Sequence, residues 1–531
     1  MRAKHKREWT VESRRPISHW ALAPIVSVIV AVAQNAEGTA ANAIRLIACR
    51  KPCGIAVTSL AVLAVMISGP LVADETALPP NIVIIFADDL GYGDVGCYGA
   101  TKIQTPNIDA LARDGMKFTD AHSAASLCSP SRYGLMTGYS PWRLHKKGNG
   151  YRLSRDRMTI ASFLQGQGYT SAAIGKWHLG YSKDWNKLPI TGPLEVGFDY
   201  HFGVPSNHND STRAFIENHD LVGRKPGEDF RIVKGRDFPE GLAKPRVEDQ
   251  VDTTLTRKAV AFVRENAAKP FFLYFTPCAP HTHVTPAAEF RGTSKAGLYG
   301  DHIQELDSHV GTLLKTLDEL KIAEKTLVIF TSDNGSTPRD FKGTQNVNLN
   351  LADDSGSIRE KFKTAKEDAK KLGHVTNGAW RDGKGHPYEG GHRVPFIARW
   401  PGRIQPGTSS DYTLNMTDVF STVADVVGRD LPDDAAEDSI SLLPVLLGEA
   451  DVPKREAIFI LGDGKDSAIA VRSGHWKLIV RYDANRAETY ELYDLQVDPG
   501  ALNNVSKTEQ DVTRKLAAAL TNAEAAGRTR D

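Results

Sequence analysis

Asn81-Ile-Val-Ile-Ile-Phe-Ala87 is an unbroken apolar run, rich in β-branched residues, that stops at two adjacent acids, Asp88 and Asp89. A strand that is apolar at every position has no face left for water. It belongs inside a parallel sheet covered by helices on both sides. Three later runs repeat the design. Residues 169–174 lead into Gly175-Lys176-Trp177-His178-Leu179-Gly180, residues 271–275 into Pro280-His281-Thr282-His283, and residues 326–331 into Ser332-Asp333-Asn334-Gly335. Helical patterns lie between them. One covers 108–114, entered through Thr105-Pro106-Asn107 and closed by Gly115. A second covers 253–266, with Asp252 as its expected cap. A third covers 298–322, with Ile303, Leu306, Val310, Leu313, Leu314, Leu317 and Leu320 on one side. Strands alternating with helices predict an α/β fold: a large, doubly wound, mostly parallel sheet flanked by helices. Ligands of such sheets gather beyond the carboxyl ends of the strands. Each of these strands ends in a polar cluster at that edge.

Residues 1–73 read as targeting sequence. Arg2, Lys4, Lys6, Arg7, Arg14 and Arg15 make a basic start, and apolar residues dominate 20–33. A second apolar run, 55–72, ends in Leu71-Val72-Ala73 and lies nearer the globular start. The expectation is export, periplasmic or secreted, with cleavage near Ala73. Left uncleaved, the second run borders on the length of a membrane anchor. Toward the other end, 468–472, 476–481 and 488–494 alternate as in an antiparallel sheet, and a helix is expected over 509–526. The chain therefore divides into an export region (1–73), a main domain (74–439) and a smaller antiparallel-sheet subdomain (440–531). Of the 5 cysteines, Cys49 and Cys53 fall in the export region, which leaves Cys97, Cys128 and Cys278. That is no disulfide scaffold. A Cys97–Cys278 pair stays open, with free buried thiols preferred. The formal net charge of +1 provides no global field for nucleic acid or an anionic membrane surface.

The chemistry concentrates in Cys128-Ser129-Pro130-Ser131-Arg132-Tyr133-Gly134-Leu135-Met136-Thr137-Gly138. Proline suits the first turn of a helix, where its missing N–H is not needed. Cys128 is thereby placed at or just before a helix N-terminus, where free N–H groups and the macrodipole favour an anion. Arg132, a turn further on, would aim its forked donors at the same anion. Asp88, Asp89, Asp333 and Asn334 form an all-oxygen set, suited to calcium or magnesium and not to zinc. Lys176, Arg132 and Lys384, the last from the loop Gly383-Lys384-Gly385-His386, would complete a positive pocket for a tetrahedral oxyanion. The Lys/Glu-rich piece 358–372 reads as a solvated helix on an insertion, with no chemistry attached.

These residues resemble a known family. From Asn81 to the C-terminal region the chain looks like a type I sulfatase, within the alkaline-phosphatase-like superfamily, so that 74–439 would be the catalytic domain. Cys128-Ser129-Pro130-Ser131-Arg132, followed by Leu135, Thr137 and Gly138, is similar to the signature that a maturation enzyme reads when it oxidises cysteine to formylglycine (3-oxoalanine). Gly175-Lys176-Trp177-His178-Leu179-Gly180 resembles a second family signature. The resemblance implies that Asp88, Asp89, Asp333 and Asn334 bind calcium together with the modified residue 128. It implies that Arg132, Lys176 and His178 support that residue and its anion. His281 and Lys384 would contact the sulfate and help the leaving group depart. The implied partners are a formylglycine-generating enzyme and a sulfated small molecule or glycan. In the implied reaction one hydroxyl of the hydrated aldehyde attacks sulfur; the other then loses its proton, the aldehyde reforms and sulfate leaves. His281, with Lys384, is expected to protonate the departing oxygen. His283, two residues on, is its competitor. The stretch Asp498-Pro499-Gly500-Ala501 departs from the family, where an acidic residue often follows the proline, and it touches no catalytic assignment.

Other chemistries meet specific objections. A thiolate phosphatase typically places arginine six residues after its cysteine, whereas Arg132 follows by four with Pro130 between. A phosphodiesterase or phosphonate monoester hydrolase could use the same constellation. A non-catalytic sulfated-glycan-binding relative would not need every catalytic residue to be present. Substrate choice is assigned to the loops at 188–247 and 337–380. His208, Arg213, Trp380 and His386 are loop residues and sugar-contact candidates, with plain loop packing at least as good an explanation of each. Carbohydrate sulfates are expected over simple aryl sulfates for an exported enzyme.

Overall fold

In the computed structural model, β1 (Asn81–Ala87) sits near the middle of the sheet because its side chains serve two cores at once. Ile82, Ile84 and Phe86 point into one apolar cluster and Val83, Ile85 and Ala87 into the other. The structure describes residues 78–530, except 146–149, 183–186, 208–209, 211–212, 225–226, 228–245, 338–355, 451, 453–454, 463–467 and 484. The expected export region and His208 lie outside the described residues.

The strands that follow are β2 (Met116–Phe118), β3 (Ala121–His122), β4 (Thr170–Lys176), β5 (Tyr200–Val204), β6 (Ile216–Glu217), β7 (Asp220–Leu221), β8 (Phe271–Thr276), β9 (Thr326–Ser332), β10 (Phe396–Arg399), β11 (Thr408–Ser410) and β12 (Leu414–Asn415). Apart from β3 and β12, which pair with each other, they form a 10-stranded sheet in the order β11-β2-β10-β9-β1-β8-β4-β5-β6-β7. β1 lies parallel between β8 and β9, with Ile84 opposite both Tyr274 and Ile329. β4 and β5 extend the parallel core, while β10 runs antiparallel on β9. The mostly parallel α/β sheet expected from the sequence is present.

Helices cover both faces. α1 (Pro106–Arg113), α3 (Val251–Asn266), α4 (Gly297–Glu319) and α5 (Gly356–Lys371) pack on the Val83/Ile85 side, and α2 (Cys128–Thr137) and α6 (Asp418–Val426) pack on the other. Two expectations need correction. Asp252 does not cap α3, which starts two residues earlier than expected, with Gln250 as its N-cap residue. The buried Asp252 carboxylate lies in the first turn and accepts the backbone N–H groups of Cys278 and Ala279, at 2.7 and 2.8 Å. The Lys/Glu-rich helix α5 is also not simply solvated. Ala365 and Ala369, one turn apart, are buried against the face shared with α4.

The C-terminal antiparallel sheet consists of β13 (Ile458–Leu461), β14 (Ile469–Ser473), β15 (Trp476–Tyr482) and β16 (Glu488–Asp494). α7 (Gln510–Ala526) covers one face, setting Leu516 and Leu520 against Val471, Leu478, Val480 and Leu492. β13, not anticipated from the sequence, has a positional role. Ser126 N–H donates to the Leu461 carbonyl at 2.9 Å, and Leu461 N–H donates to the Ala124 carbonyl at 3.2 Å. The segment entering α2 is thus clamped to the edge of the small sheet. Among the described residues no helix is long and apolar enough to cross a membrane.

Candidate active site

The parallel strands deliver their polar ends to one place. Asp88 and Asp89 leave β1, Asp333 and Asn334 leave β9, and all four are essentially inaccessible to water. Burying three carboxylates together is costly unless cations share the space. Here three do. Lys176, the last residue of β4, donates to both oxygens of Asp88 at 2.7 and 2.8 Å. Arg132 donates through Nε and Nη2 to Oδ2 of Asp333 at 2.9 and 2.7 Å, and through Nη1 to the Lys176 carbonyl at 3.1 Å. Lys384 Nζ reaches Oδ1 of Asp89 at 2.6 Å. The arginine fork expected to face an anion is therefore committed to Asp333. Backbone geometry sets Lys176 in place: Gly175 has φ +122°, and a Cβ there would meet the Thr276 carbonyl oxygen at 2.0 Å.

Cys128 opens α2 with Leu127 as the N-cap residue, as the Pro130 argument required. Its Sγ and one oxygen each of Asp88 and Asp333 lie within 4.8 Å of one another, as do ligand atoms of Asp88, Asp89 and His281. The Asn334 side-chain NH₂ donates to Asp89 Oδ1 at 2.8 Å and to the Gly335 carbonyl at 2.9 Å, which assigns the other end of the amide as oxygen. That oxygen, Asn334 Oδ1, is buried and has no hydrogen-bond partner. Burial, together with Asp88 and Asp89, pushes the Asp333 carboxyl up to about 6 against the pull of Arg132. An orphaned amide oxygen among crowded carboxylates fits a hard divalent cation.

Burial would raise Asp89, but Lys384 first, then His281, Lys366 and Lys176, hold it well below the usual carboxylate range. Burial would lower Lys384, and Asp89 instead raises it. His281 donates from Nδ1 to the Thr282 carbonyl at 2.6 Å, so Nε2 is left toward Asp89 at 3.7 Å. Burial holds this imidazole well below its ordinary range; Asp89 pulls upward, and Lys384 and Lys176 push down. His178 is likewise kept neutral, by burial and then by Lys176, Arg132 and Lys384. Its backbone carbonyl accepts from Ser129 Oγ at 3.0 Å, tying the loop after β4 to α2.

Of the two competing histidines, His281 is the one that the structure pairs with Asp89. Arg213 is engaged with Glu248 at 3.1 Å. Trp380 lies beside a cavity bounded by Thr337 and Asp382, with the Arg393 guanidinium 4.1 Å from its ring centroid. Cys97 and Cys278 are free thiols. Burial, then Asp109, pushes the Cys97 thiol up to about 12.

Several contributors escaped the sequence. Thr337 donates to Asp89 Oδ2 at 3.2 Å. Asn377 accepts Ser336 N–H at 2.9 Å and donates to the Ser336 and Asp382 carbonyls, joining the loop after β9 to the loop of Lys384. Asp94 accepts from Tyr299 at 2.6 Å and pairs with His374 at 2.7 Å. Lys366 comes from α5. Polarity just after Asp333-Asn334 was the available signal for Thr337; the Asn377 and Asp94 contacts are long-range and left none. A second cluster, His122, Glu389 and His392, also has the spacing of a metal site. The Lys477 ammonium already fills it, 2.9 Å from Glu389 and 2.6 Å from His392 Nε2.

Comparison with known proteins identifies the class of enzyme as a sulfatase. A sulfatase family model matches residues 80–429, and a model of the C-terminal part of N-sulphoglucosamine sulphohydrolase matches 378–526. The chain belongs to the sulfatase family of the alkaline-phosphatase-like superfamily and is a sulfuric ester hydrolase. It is 33% identical to an N-acetylgalactosamine-6-O-sulfatase of Bacteroides thetaiotaomicron over 501 residues, covering 84% of this chain and 93% of the relative. It is 33% identical to human arylsulfatase A over 467 residues, covering 81% and 84%. A solved sulfatase structure from a Bacteroides thetaiotaomicron glycosaminoglycan locus superposes with TM-score 0.73 at 32% identity, covering 85% of this chain and 100% of that one. A phosphonate monoester hydrolase of Agrobacterium radiobacter, at 19% identity and TM-score 0.58, shares the fold.

Proposed function

We propose that this sulfatase cleaves a sulfate ester on a carbohydrate, with residue 128 acting as formylglycine and calcium held by Asp88, Asp89, Asp333 and Asn334. The observation that carries the reading is the Cys128 sulfur in ligand range of Asp88 and Asp333, beside the orphaned Asn334 oxygen. A thiol is a soft ligand in an otherwise hard oxygen set. Its sulfur stands in for the oxygen that formylglycine would present. Relatives named N-acetylgalactosamine-6-O-sulfatase and N-acetylgalactosamine-6-sulfatase support a sulfated amino sugar as substrate.

When bound, the cation supplies polarisation of sulfate oxygens and the hydrated aldehyde supplies the attacking hydroxyl. The chain's own residues do the rest. Arg132 and Lys176 hold Asp333 and Asp88 in fixed orientations, so little reorganisation accompanies the reaction. Lys384, from its glycine-rich loop, brings a positive charge to the Asp89 side of the pocket. His281 keeps its Nδ1–H on the Thr282 carbonyl and uses Nε2 to pass a proton to the departing sugar oxygen. A bound sulfate monoanion raises the proton affinity of this ring against burial and its cationic neighbours. Neutral His178 adds no further charge beside Lys176. The basic and apolar character of residues 1–73 supports export, and the Cys128–Gly138 stretch supports a formylglycine-generating enzyme as partner.

Enzyme matured in a host that makes formylglycine tests the reading on 6-sulfated N-acetylgalactosamine, an aryl sulfate and a phosphonate monoester. The sulfated sugar is expected to give the highest kcat/KM. Faster hydrolysis of the phosphonate, or of the aryl sulfate, overturns the carbohydrate reading.

A further inference from the structure

Among the described residues near this site, Lys366 is a buried cation hydrogen-bonded to no carboxylate. Arg132, Lys176 and Lys384 are each hydrogen-bonded to an aspartate. Lys366, on α5, has its Nζ buried without a hydrogen-bond partner, although the residue as a whole is only partly buried. The Tyr299 ring, with its centroid 5.2 Å from Nζ, gives it a cation–π contact only. A buried ammonium without an acceptor is costly to keep. Burial lowers its proton affinity, and Asp89 is the strongest of the groups that restore it.

Lys366 also lines a cavity of about 480 Å³, together with Thr337, Lys370, His374 and Trp380. A volume of this order accommodates a sugar unit. The cavity adjoins the reaction centre through Thr337, which donates to Asp89 at 3.2 Å. Two acids share its lining: Glu367, and Asp382, which pairs with Arg381 at 3.5 Å. The unbranched stem of Lys366 allows the ammonium to turn toward a ligand without backbone movement.

Resting on the sulfatase reading above, we propose that Lys366 recognises a second anionic group of the substrate, carried on or beside the sugar that bears the scissile sulfate. An anion entering this cavity supplies the acceptor that the described residues do not, and the neighbouring Trp380 walls the sugar. Lys366 is thus a specificity residue, contributed by a helix outside the strand-end constellation.

The test compares wild type, Lys366→Gln and Lys366→Arg, all matured at residue 128. The substrates are 6-sulfated N-acetylgalactosamine alone, the same sugar joined to a uronic acid, and the same sugar carrying a second sulfate. Wild type is expected to favour an anion-bearing substrate by about tenfold or more in kcat/KM, mostly through KM, the size of one charge-assisted hydrogen bond. Lys366→Gln is expected to bring that ratio close to one and Lys366→Arg to retain most of it. Preference for the uronate assigns a carboxylate to the cavity; preference for the disulfated sugar assigns a sulfate. Equal wild-type kcat/KM on all three substrates overturns the proposal, as does a ratio unchanged by Lys366→Gln. If matured wild type hydrolyses an aryl sulfate but none of the three sugars, the carbohydrate reading fails and this inference with it.

Discussion

Arg132 and Asp333, 201 positions apart in the chain, meet through two hydrogen bonds onto a single carboxylate oxygen, at 2.9 and 2.7 Å. The other oxygen of Asp333 accepts the Asp89 backbone N–H at 3.1 Å. One guanidinium thereby sets the orientation of a carboxylate at the end of β9, and through it the turn at the end of β1. Lysine cannot reproduce this fork. Arg132→Lys is expected to lose about 100-fold or more in kcat/KM. Arg132→Ala, which strands a buried carboxylate, is expected to cost about 3–5 kcal/mol of stability. Steady-state kinetics and denaturant unfolding check the two effects separately.

Metal removal should act on stability as well as activity. Without a cation, Asp88, Asp89 and Asp333 repel one another, and Asn334 Oδ1 has no partner. Dialysis against a chelator is expected to lower Tm, and calcium is expected to restore it better than magnesium. Asn334→Ala is expected to weaken calcium binding by about tenfold or more, read by calorimetry. A Tm indifferent to chelator would exclude a structural cation at these residues.

Buried histidines should contribute acid sensitivity. Burial lowers His201 and His302 to about 4 from an ordinary value of 6.5. In the unfolded chain both regain ordinary proton affinity, so below pH 6.5 the unfolded state binds more protons. Their stabilising effect is therefore complete above about pH 6.5 and is lost progressively toward pH 4. By pH 5 the loss is about 2 kcal/mol for each histidine. In Tm measured from pH 7.5 to 5, His201→Phe is expected to lose less stability toward pH 5 than wild type.

The small sheet is anchored by a buried charge pair. Lys477 of β15 donates to Glu389 Oε1 at 2.9 Å, with both side chains fully buried. Glu389 stays ionised because Lys477 and Arg472 outweigh the effect of its burial. Lys477→Met alone is expected to destabilise by about 3–5 kcal/mol, and combining it with Glu389→Gln is expected to recover part of that loss. Additive losses in the double mutant would show that the two groups do not act as a pair.

The parallel core was legible because β1, β8 and β9 are apolar at nearly every position, a pattern that water tolerates on neither face. The strand-end residues were legible for the same reason: a polar cluster directly after a buried strand has only one edge of the sheet to occupy. Asp88, Lys176, His281 and Asp333 all lie there. What escaped depends on long-range contact. Nothing local marks β13 as the clamp on residues 124–126, or Asn377 as the link between two loops. α5 looked solvated because its lysines and glutamates mask the Ala365–Ala369 stripe, and Lys366 was hidden with it. Asp252 had the composition of a cap, but the N–H groups of Cys278 and Ala279 claim its carboxylate.

In the proposed reaction Cys128 is the precursor of the catalytic group. Mass spectrometry of the peptide spanning residue 128, on protein from a host that makes formylglycine, measures it directly, with sulfatase activity assayed on the same preparation. The expected result is an aldehyde at residue 128 whose fractional occupancy tracks specific activity across preparations. Fully active enzyme carrying only an unmodified Cys128 thiol would overturn the formylglycine mechanism.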